Sequence, residues 1–152
     1  MTQKEQSYEM TFPENPLLVQ IDPQFSIFRK LHYNEIPPSL SKIFGSEELL
    51  ILLPSKADND RLEYYKELAK TWSADSTRKI KVLLDSDISE LPADKNIWIF
   101  GVENIYEKAI QEGIKDYDAE LTNEAVRFAK ASFKSNANSI VISVRHPKNP
   151  AS

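Results

Sequence analysis

A run of five apolar residues, Leu49 to Leu53, is the feature that most constrains how this chain can fold. The run is continuous rather than alternating, which is typical of a strand covered on both faces, as in a parallel sheet. Pro54 closes it, because proline cannot donate to a strand ladder. It is far too short to cross a bilayer. The run therefore predicts a buried strand and no direct membrane insertion.

Two later apolar stretches, Ile80 to Leu84 and Ile97 to Phe100, predict further strands of the same buried type. Between the first two strands, Asp60 and Glu63 have capping-box spacing and are predicted to open a helix. Its apolar stripe would comprise Leu62, Tyr65, Leu68, Ala69 and Trp72. The alternation of strands and helices predicts an α/β fold. We expect a three-layer, mostly parallel, Rossmann-like doubly wound sheet.

The third strand is followed by the signals of another helix. Asn104 is predicted to cap this helix, with Glu107 three residues further on, and Gly113 is predicted to end it. Its inward face would comprise Ile105, Ala109 and Ile110. This helix would complete the second strand–helix unit of the sheet.

Prolines interrupt the N-terminal part of the chain. The whole chain has three glycines and nine prolines. Leu17 to Ile21 predicts a short strand, and Asp22-Pro23 predicts the start of a short helix. That helix would have Phe25, Phe28 and Leu31 on one face. Ile36-Pro37-Pro38 stops any regular element. Ser39 can then cap one more helical turn that ends at Gly45, with Leu40, Ile43 and Phe44 facing inward.

The C-terminal part is ambiguous between helix and strand over residues 119–134. Ala125 to Ser135 fits a helix by propensity, but Val126 and Phe128 also alternate as in a strand. Ile140 to Val144 predicts a strand that follows the turn-rich segment Ser135 to Asn138. Two strands joined by that turn would form a β-hairpin at the edge of the sheet.

Length and composition are those of one globular domain. We predict an N-terminal extension over residues 1–16, an α/β domain over 17–147 and a tail over 148–152. The chain has no cysteine, which excludes disulfides, thiolate metal sites and a cysteine nucleophile. Its net charge is −4 and its charges are interspersed, so nucleic acid is not an expected partner. The first 16 residues have no apolar signal-peptide core. A soluble protein of the cytoplasm or the periplasm fits equally well.

Several landmarks along the chain resemble a segment of large bacterial proteins that carry a gluzincin-type, zinc-aminopeptidase-like region. These landmarks are Ile21-Asp22-Pro23, Phe28-Arg29, Glu35 to Leu40, Phe44-Gly45, Phe100-Gly101 with Glu103-Asn104, and Arg145-His146-Pro147. In those proteins the segment lies in a C-terminal α/β region beyond the peptidase part. The resemblance implies an accessory domain whose partners are other domains of the parent protein, and it favours strand over helix for Ala125 to Phe133.

The peptidase region of such proteins needs His-Glu-x-x-His, which places two zinc ligands one helical turn apart beside a basic glutamate. This chain has two histidines, His32 and His146, and neither lies in that motif. We therefore carry over no catalytic residue and predict no cofactor or metal. The ends of the chain would suit an excised fragment as well as a complete gene product.

One local motif suggests chemistry of its own. Asp85-Ser86-Asp87 follows an apolar strand and resembles the nucleophile loop of haloacid-dehalogenase-type phosphatases, in which the first aspartate attacks phosphorus beside a magnesium ion. The next strand, however, ends in Phe100-Gly101 without the expected serine or threonine. The competing interpretation is that Asp85 and Asp87 cap a turn by accepting backbone N–H bonds.

Polar residues also follow the ends of the other predicted strands. Ser55, Asp85, Gly101 and Asn104 would all lie at the carboxyl edge of a parallel sheet, where ligands of open α/β folds bind. This makes a small-molecule or nucleotide site the alternative function, with a magnesium phosphatase using Asp85 and Asp87 as the less favoured one. The favoured function is a non-catalytic accessory or interaction domain.

Overall fold

The computed structural model describes residues 7–16, 20, 22–24, 26–32, 35–74, 77–115 and 117–149. The chain divides into two compact units, Met1–Leu31 and His32–Ser152. The helices and strands that are described all lie in the second unit. None of these helices has the length and apolarity needed to cross a membrane.

The second unit is a mixed α/β structure, as the sequence predicts. In chain order its elements are α1 (Leu40–Phe44), β1 (Glu48–Leu53), α2 (Asn59–Ser73), β2 (Lys79–Leu84), β3 (Asn96–Ile99), α3 (Glu107–Ile114), β4 (Ala119–Leu121), β5 (Ala125–Phe128) and β6 (Ala131–Lys134). A 3-10 turn, Asp85–Asp87, follows β2 directly. The strands form two separate three-stranded sheets, one parallel and one antiparallel.

The parallel sheet has the strand order β2-β1-β3. Leu49 of β1 lies opposite Ile80 on one side and Asn96 on the other. Five of the six β1 residues are buried, which confirms the prediction of a strand covered on both faces. Burial of each such leucine or isoleucine contributes roughly 1.5–3 kcal/mol, so this strand is the main source of core stability.

The two faces of β1 pack against different helices because successive side chains of a strand point to opposite sides. Leu49, Ile51 and Leu53 pack on one side with residues of α2, including buried Ala69. On the other side, Leu50 and Leu52 pack with Leu91 of the β2–β3 connection and with Tyr106 and Ala109 at the start of α3. The strand–helix alternation seen in the sequence thus produces one apolar cluster on each face.

An aromatic cluster extends the first of these two apolar clusters. Phe44 stacks on Trp72 with ring centroids 5.2 Å apart, and Trp72 meets Trp98 edge-on at 5.1 Å. Trp98 in turn contacts Phe100 at 5.1 Å. The predicted stripe of α2 is confirmed except at Leu68, which is 46% exposed.

The boundaries of the helices differ from those predicted. The N-cap of α2 is Asp58, whose side chain accepts the Arg61 N–H at 2.9 Å, and not Asp60. Helix α3 begins at Glu107 and runs past Gly113, so the predicted cap and end were both wrong. Gly45 follows α1 as predicted, but its φ of −91° is not left-handed.

The first unit contains no helix in its described part, contrary to the prediction from Asp22-Pro23. Asp22 adopts a left-handed backbone (φ 54°), and its carboxylate accepts the N–H groups of Ser26 and Ile27 at 2.7 and 2.9 Å. These local bonds close a loop in place of a helical turn. Phe28, predicted to share one face of that helix with Leu31, is fully exposed. The predicted strand over 17–21 and Phe25 lie outside the described residues, apart from Gln20.

The second sheet confirms strand over helix for residues 125–134. It is antiparallel in the order β4-β5-β6, and β5–β6 is a hairpin. This hairpin belongs to its own sheet, so its predicted place at the edge of the parallel sheet was wrong. The turn of the hairpin lies at Ala129-Lys130 and not at 135–138. Residues 135–137 do form a turn, as predicted. Ile140 to Val144, which the sequence predicted as a strand, forms none.

Candidate functional site

The parallel sheet brings the predicted site residues to one edge. Ser55 follows β1 after one proline, Asp85 follows β2 directly, and Gly101 lies two residues beyond β3. Asp85 Oδ1 accepts the Ser55 N–H at 2.9 Å, and Oδ2 accepts the Ile105 N–H at 2.7 Å. One carboxylate therefore joins the loops that follow all three strands.

Asp85 is fully buried, which is unusual for a carboxylate. Burial alone raises its pKa, but hydrogen bonds from Ser55, from the Ile105 N–H and from the Ser86 N–H outweigh that effect and lower the pKa overall. The group is therefore ionised at neutral pH. Because its oxygens already accept several hydrogen bonds and are shielded from water, an attack on an incoming phosphoryl group would first require these bonds to break.

Asp87 has an equally local role. Its Oδ2 accepts the Leu84 N–H at 3.0 Å, which closes the 3-10 turn on the end of β2. Both aspartates thus accept backbone N–H bonds, as the turn-capping interpretation predicts. The Asp-x-Asp spacing is explained by this turn without reference to magnesium.

Asn104 points into the protein rather than toward a ligand. It is 3% exposed, and its amide donates to the carbonyls of Leu52 and Phe100 at 3.2 and 3.3 Å. Its Oδ1 accepts the N–H of Tyr106, the residue directly before α3, at 3.1 Å. Asn104 thereby satisfies the main-chain groups at the ends of β1 and β3.

Gly101 is required by its backbone and its surroundings. Its φ is +73°, and a Cβ there would lie 2.9 Å from Glu103 Oε2 and 3.0 Å from both Pro54 Cγ and Tyr65 Cε2. The loop therefore approaches its neighbours too closely for any side chain. This close packing, together with the positive φ, explains the glycine.

An ion pair beside Gly101 was not predicted from the sequence. Glu103 pairs with Arg61 of α2, and the charge of Glu103 raises the pKa of Arg61. The pKa of Tyr65 is raised too, mainly by burial and next by Glu103. Arg61 and Glu103 are 42 residues apart, so no local spacing could reveal the pair. Its exposed arginine makes it a weak stabilising contact.

A second concave region involves His146, for which the sequence predicted no catalytic or metal-binding role. His146 lines a cavity of about 80 Å³ with residues of β3, α3 and the segment 143–147. Its Nδ1 accepts the Lys148 N–H at 3.1 Å. Within the described part of the chain, no group of three or more His, Asp or Glu side chains could hold a metal ion.

Comparison of the chain with protein-family models, with curated proteins and with solved structures finds no match. Function must therefore be inferred from the geometry of the chain itself.

Proposed function

We propose that this chain is a non-catalytic interaction domain of a larger bacterial, peptidase-like protein. One observation carries the proposal: the apolar face of the antiparallel sheet is open to solvent at two phenylalanines. Phe128 is 58% exposed and Phe133 is 43% exposed. Exposed aromatic side chains grouped on one face are typical of surfaces that bind another protein or domain.

Strand register assigns the side chains of this sheet to two faces of different character. Phe128 lies opposite Ala119 and Ala131, and Val126 lies opposite Leu121 and Phe133. These six residues share one face because side chains alternate along a strand. The opposite face carries Glu120 and Arg127, which form an ion pair at 2.8 Å. The sheet is thus amphipathic, and its apolar face is covered well only at buried Val126.

A second copy that extended the sheet through β6 is a poorer candidate for the occupant. The carbonyl of Lys134 already accepts bonds from the Ala137 N–H at 3.2 Å and from Asn138 Nδ2 at 2.9 Å. The Lys134 carbonyl is therefore not free to accept a hydrogen bond from a strand that would be added at this edge of the sheet. The apolar face is instead suited to packing by another domain of the parent protein, the partner implied by the resemblance to zinc-aminopeptidase-like proteins.

The carboxyl edge of the parallel sheet supports the non-catalytic part of the proposal. Asp85 and Asn104 use their polar atoms to hold main-chain groups of the protein. A nucleotide site or a magnesium phosphatase would need those atoms to face a ligand. The packing of α2 and α3 residues on opposite faces of β1 also supports the proposed three-layer, doubly wound arrangement.

Amide hydrogen exchange would test the proposal if it were measured on the isolated chain and on the longer parent protein that contains it. We expect the amides of 119–134 to become protected in the longer protein. In that protein, Phe128→Ser combined with Phe133→Ser should abolish the protection, whereas Tyr64→Ser, at another exposed aromatic of the second unit, should not. Equal exchange in the two proteins would contradict docking. Robust turnover of aminopeptidase or phosphatase substrates by the isolated chain would contradict the non-catalytic assignment.

A further inference from the structure

The cavity beside His146 has a lining of aliphatic side chains. It lies among residues of α1, β3, α3 and the segment 143–147, and its volume is about 80 Å³. Ile97 and Ile99 of β3, Ile110 of α3 and Val144 supply much of its apolar surface. On this measure one water molecule needs about 10–15 Å³, so the cavity has room for a group of several non-hydrogen atoms.

The charged side chains that line the cavity all have the same sign. Lys42, Lys95 and Arg145 contribute to its wall, and no carboxylate of a described residue does. This contrasts with the net charge of −4 on the whole chain. Arg145 is held in place by its bond to the Ile36 carbonyl at 2.5 Å. Lys95 pairs with Glu48 at 3.6 Å, but Glu48 is not part of the wall. Positive charges on the wall of a cavity attract anions.

His146 adds a hydrogen-bond donor. Its Nδ1 accepts the Lys148 N–H, so the neutral ring carries its proton on Nε2. Burial, and next the charge of Lys148, lower the pKa of His146 and keep the ring neutral near pH 7. Nε2 is buried and has no hydrogen-bond partner in the structure as described. A buried donor without a partner is costly, and a bound acceptor would remove that cost.

We propose that this cavity binds the carboxylate of a short aliphatic acid. His146 Nε2–H would donate to a carboxylate oxygen, the three basic side chains would attract the charge, and the aliphatic lining would contact the hydrocarbon. A free short-chain acid and the carboxyl terminus of a peptide offer the same chemistry. The proposal is independent of the docking surface on the antiparallel sheet, which involves none of these side chains.

Titration of the isotopically labelled chain with butyrate, followed by NMR, would test this site. We expect saturable shifts of the His146 ring nitrogens and of the amides of 143–147, with a Kd on the order of millimolar. Butyramide and butylammonium have the same size without the negative charge and should produce much smaller shifts. Equal shifts with butyramide, or no saturable shift with butyrate or peptide, would overturn the proposal.

Two peptides distinguish the source of the carboxylate. Acetyl-Gly-Gly-Val with a free carboxyl terminus should produce the same shifts if the cavity accepts chain ends, and its amidated form should not. Saturable binding of butyrate alone would assign the site to free acids. Either result supports recognition of an aliphatic carboxylate, whereas equal binding of the free and amidated peptides would count against it.

Variants connect the shifts to the proposed donor. His146→Phe retains an aromatic ring without the N–H and should weaken butyrate binding about tenfold or more, the loss expected for one hydrogen bond to a charged group. His146→Gln, which keeps an N–H donor, should lose less. His32→Phe, at the other histidine, is the matched control and should bind as the wild type does. Lys42→Gln, at an exposed position, should weaken binding without disturbing the fold. Unchanged binding in both His146→Phe and Lys42→Gln would reject the site.

Discussion

The Asp85 carboxylate accepts the backbone N–H of Ser55 at 2.9 Å, which ties the end of β2 to the loop after the central strand. Its second oxygen accepts the Ile105 N–H, so the bond pair also holds the segment that leads into α3. A buried charge in this position serves as a connector between loops. This role accounts for an aspartate at the end of a strand without any reaction.

Asp85→Asn is expected to destabilise the fold. An amide has the same shape, but its NH2 group would face a main-chain N–H group. Because both groups are donors, no hydrogen bond can form between them. We expect the free energy of unfolding to fall by about 2–4 kcal/mol in chemical denaturation. Asp87→Asn is the matched control because Asp87 accepts the Leu84 N–H within its own turn, and it should cost clearly less. Equal losses in the two variants would contradict the connecting role.

The lowered pKa of Asp85 predicts a dependence of stability on pH. A carboxylate whose pKa is lower in the folded state than its ordinary 3.8 stabilises the fold above that value, and the stabilisation is lost as pH falls through the folded pKa. The difference in unfolding free energy between wild type and Asp85→Asn should therefore be full at pH 6 and shrink below about pH 4. Denaturation curves at several pH values would measure it, and a constant difference down to pH 2 would refute the assignment.

The β5–β6 turn contains a residue in an unfavourable conformation. Ala129 has a φ of 51°, which is costly for a residue with a Cβ. We expect Ala129→Gly to raise the free energy of unfolding by about 1 kcal/mol, because the steric relief exceeds the added entropy of the unfolded chain. Ala131→Gly, within β6, should be destabilising instead. If both glycines destabilised the protein, the turn geometry would be wrong.

Substitution of Gly113 would test the contact between α3 and the C-terminal segment. A Cβ at this helical position would lie 2.8 Å from Val144 Cβ and 3.1 Å from Val144 Cγ1. Gly113→Ala should thus be destabilising by about 1–3 kcal/mol, although alanine is the better helix former. In a Val144→Gly background the clash is absent, and the same substitution should stabilise the helix by up to about 1 kcal/mol. Thermal unfolding of the four proteins would give the coupling, and additive effects would show that the two residues are not in contact.

The burial of the central strand and the parallel topology were predictable from the sequence, whereas the ends of helices, the hairpin turn and the contacts of individual side chains were not. Leu49 to Leu53 indicated the central strand because burial on both faces requires apolar residues throughout. The proximity of Ser55 and Asp85 could be predicted because both residues follow strands of a parallel sheet. The orientation of the Asp85 side chain could not be predicted, because it depends on the Ile105 N–H, which lies 20 residues away. Similarly, no turn motif marks Ala129, so the chain reversal was placed several residues too late.

The central position of β1 has a consequence for the order in which the fold can form during synthesis. β1 precedes both of its neighbours in the chain, and β3 ends only at Ile99. Until that residue leaves the ribosome, one edge of the most apolar strand has no partner and presents unpaired main-chain groups. The unpaired edge of β1 is therefore exposed, and prone to aggregation, while about fifty further residues are translated. A chain truncated before Asn96 would retain that edge permanently.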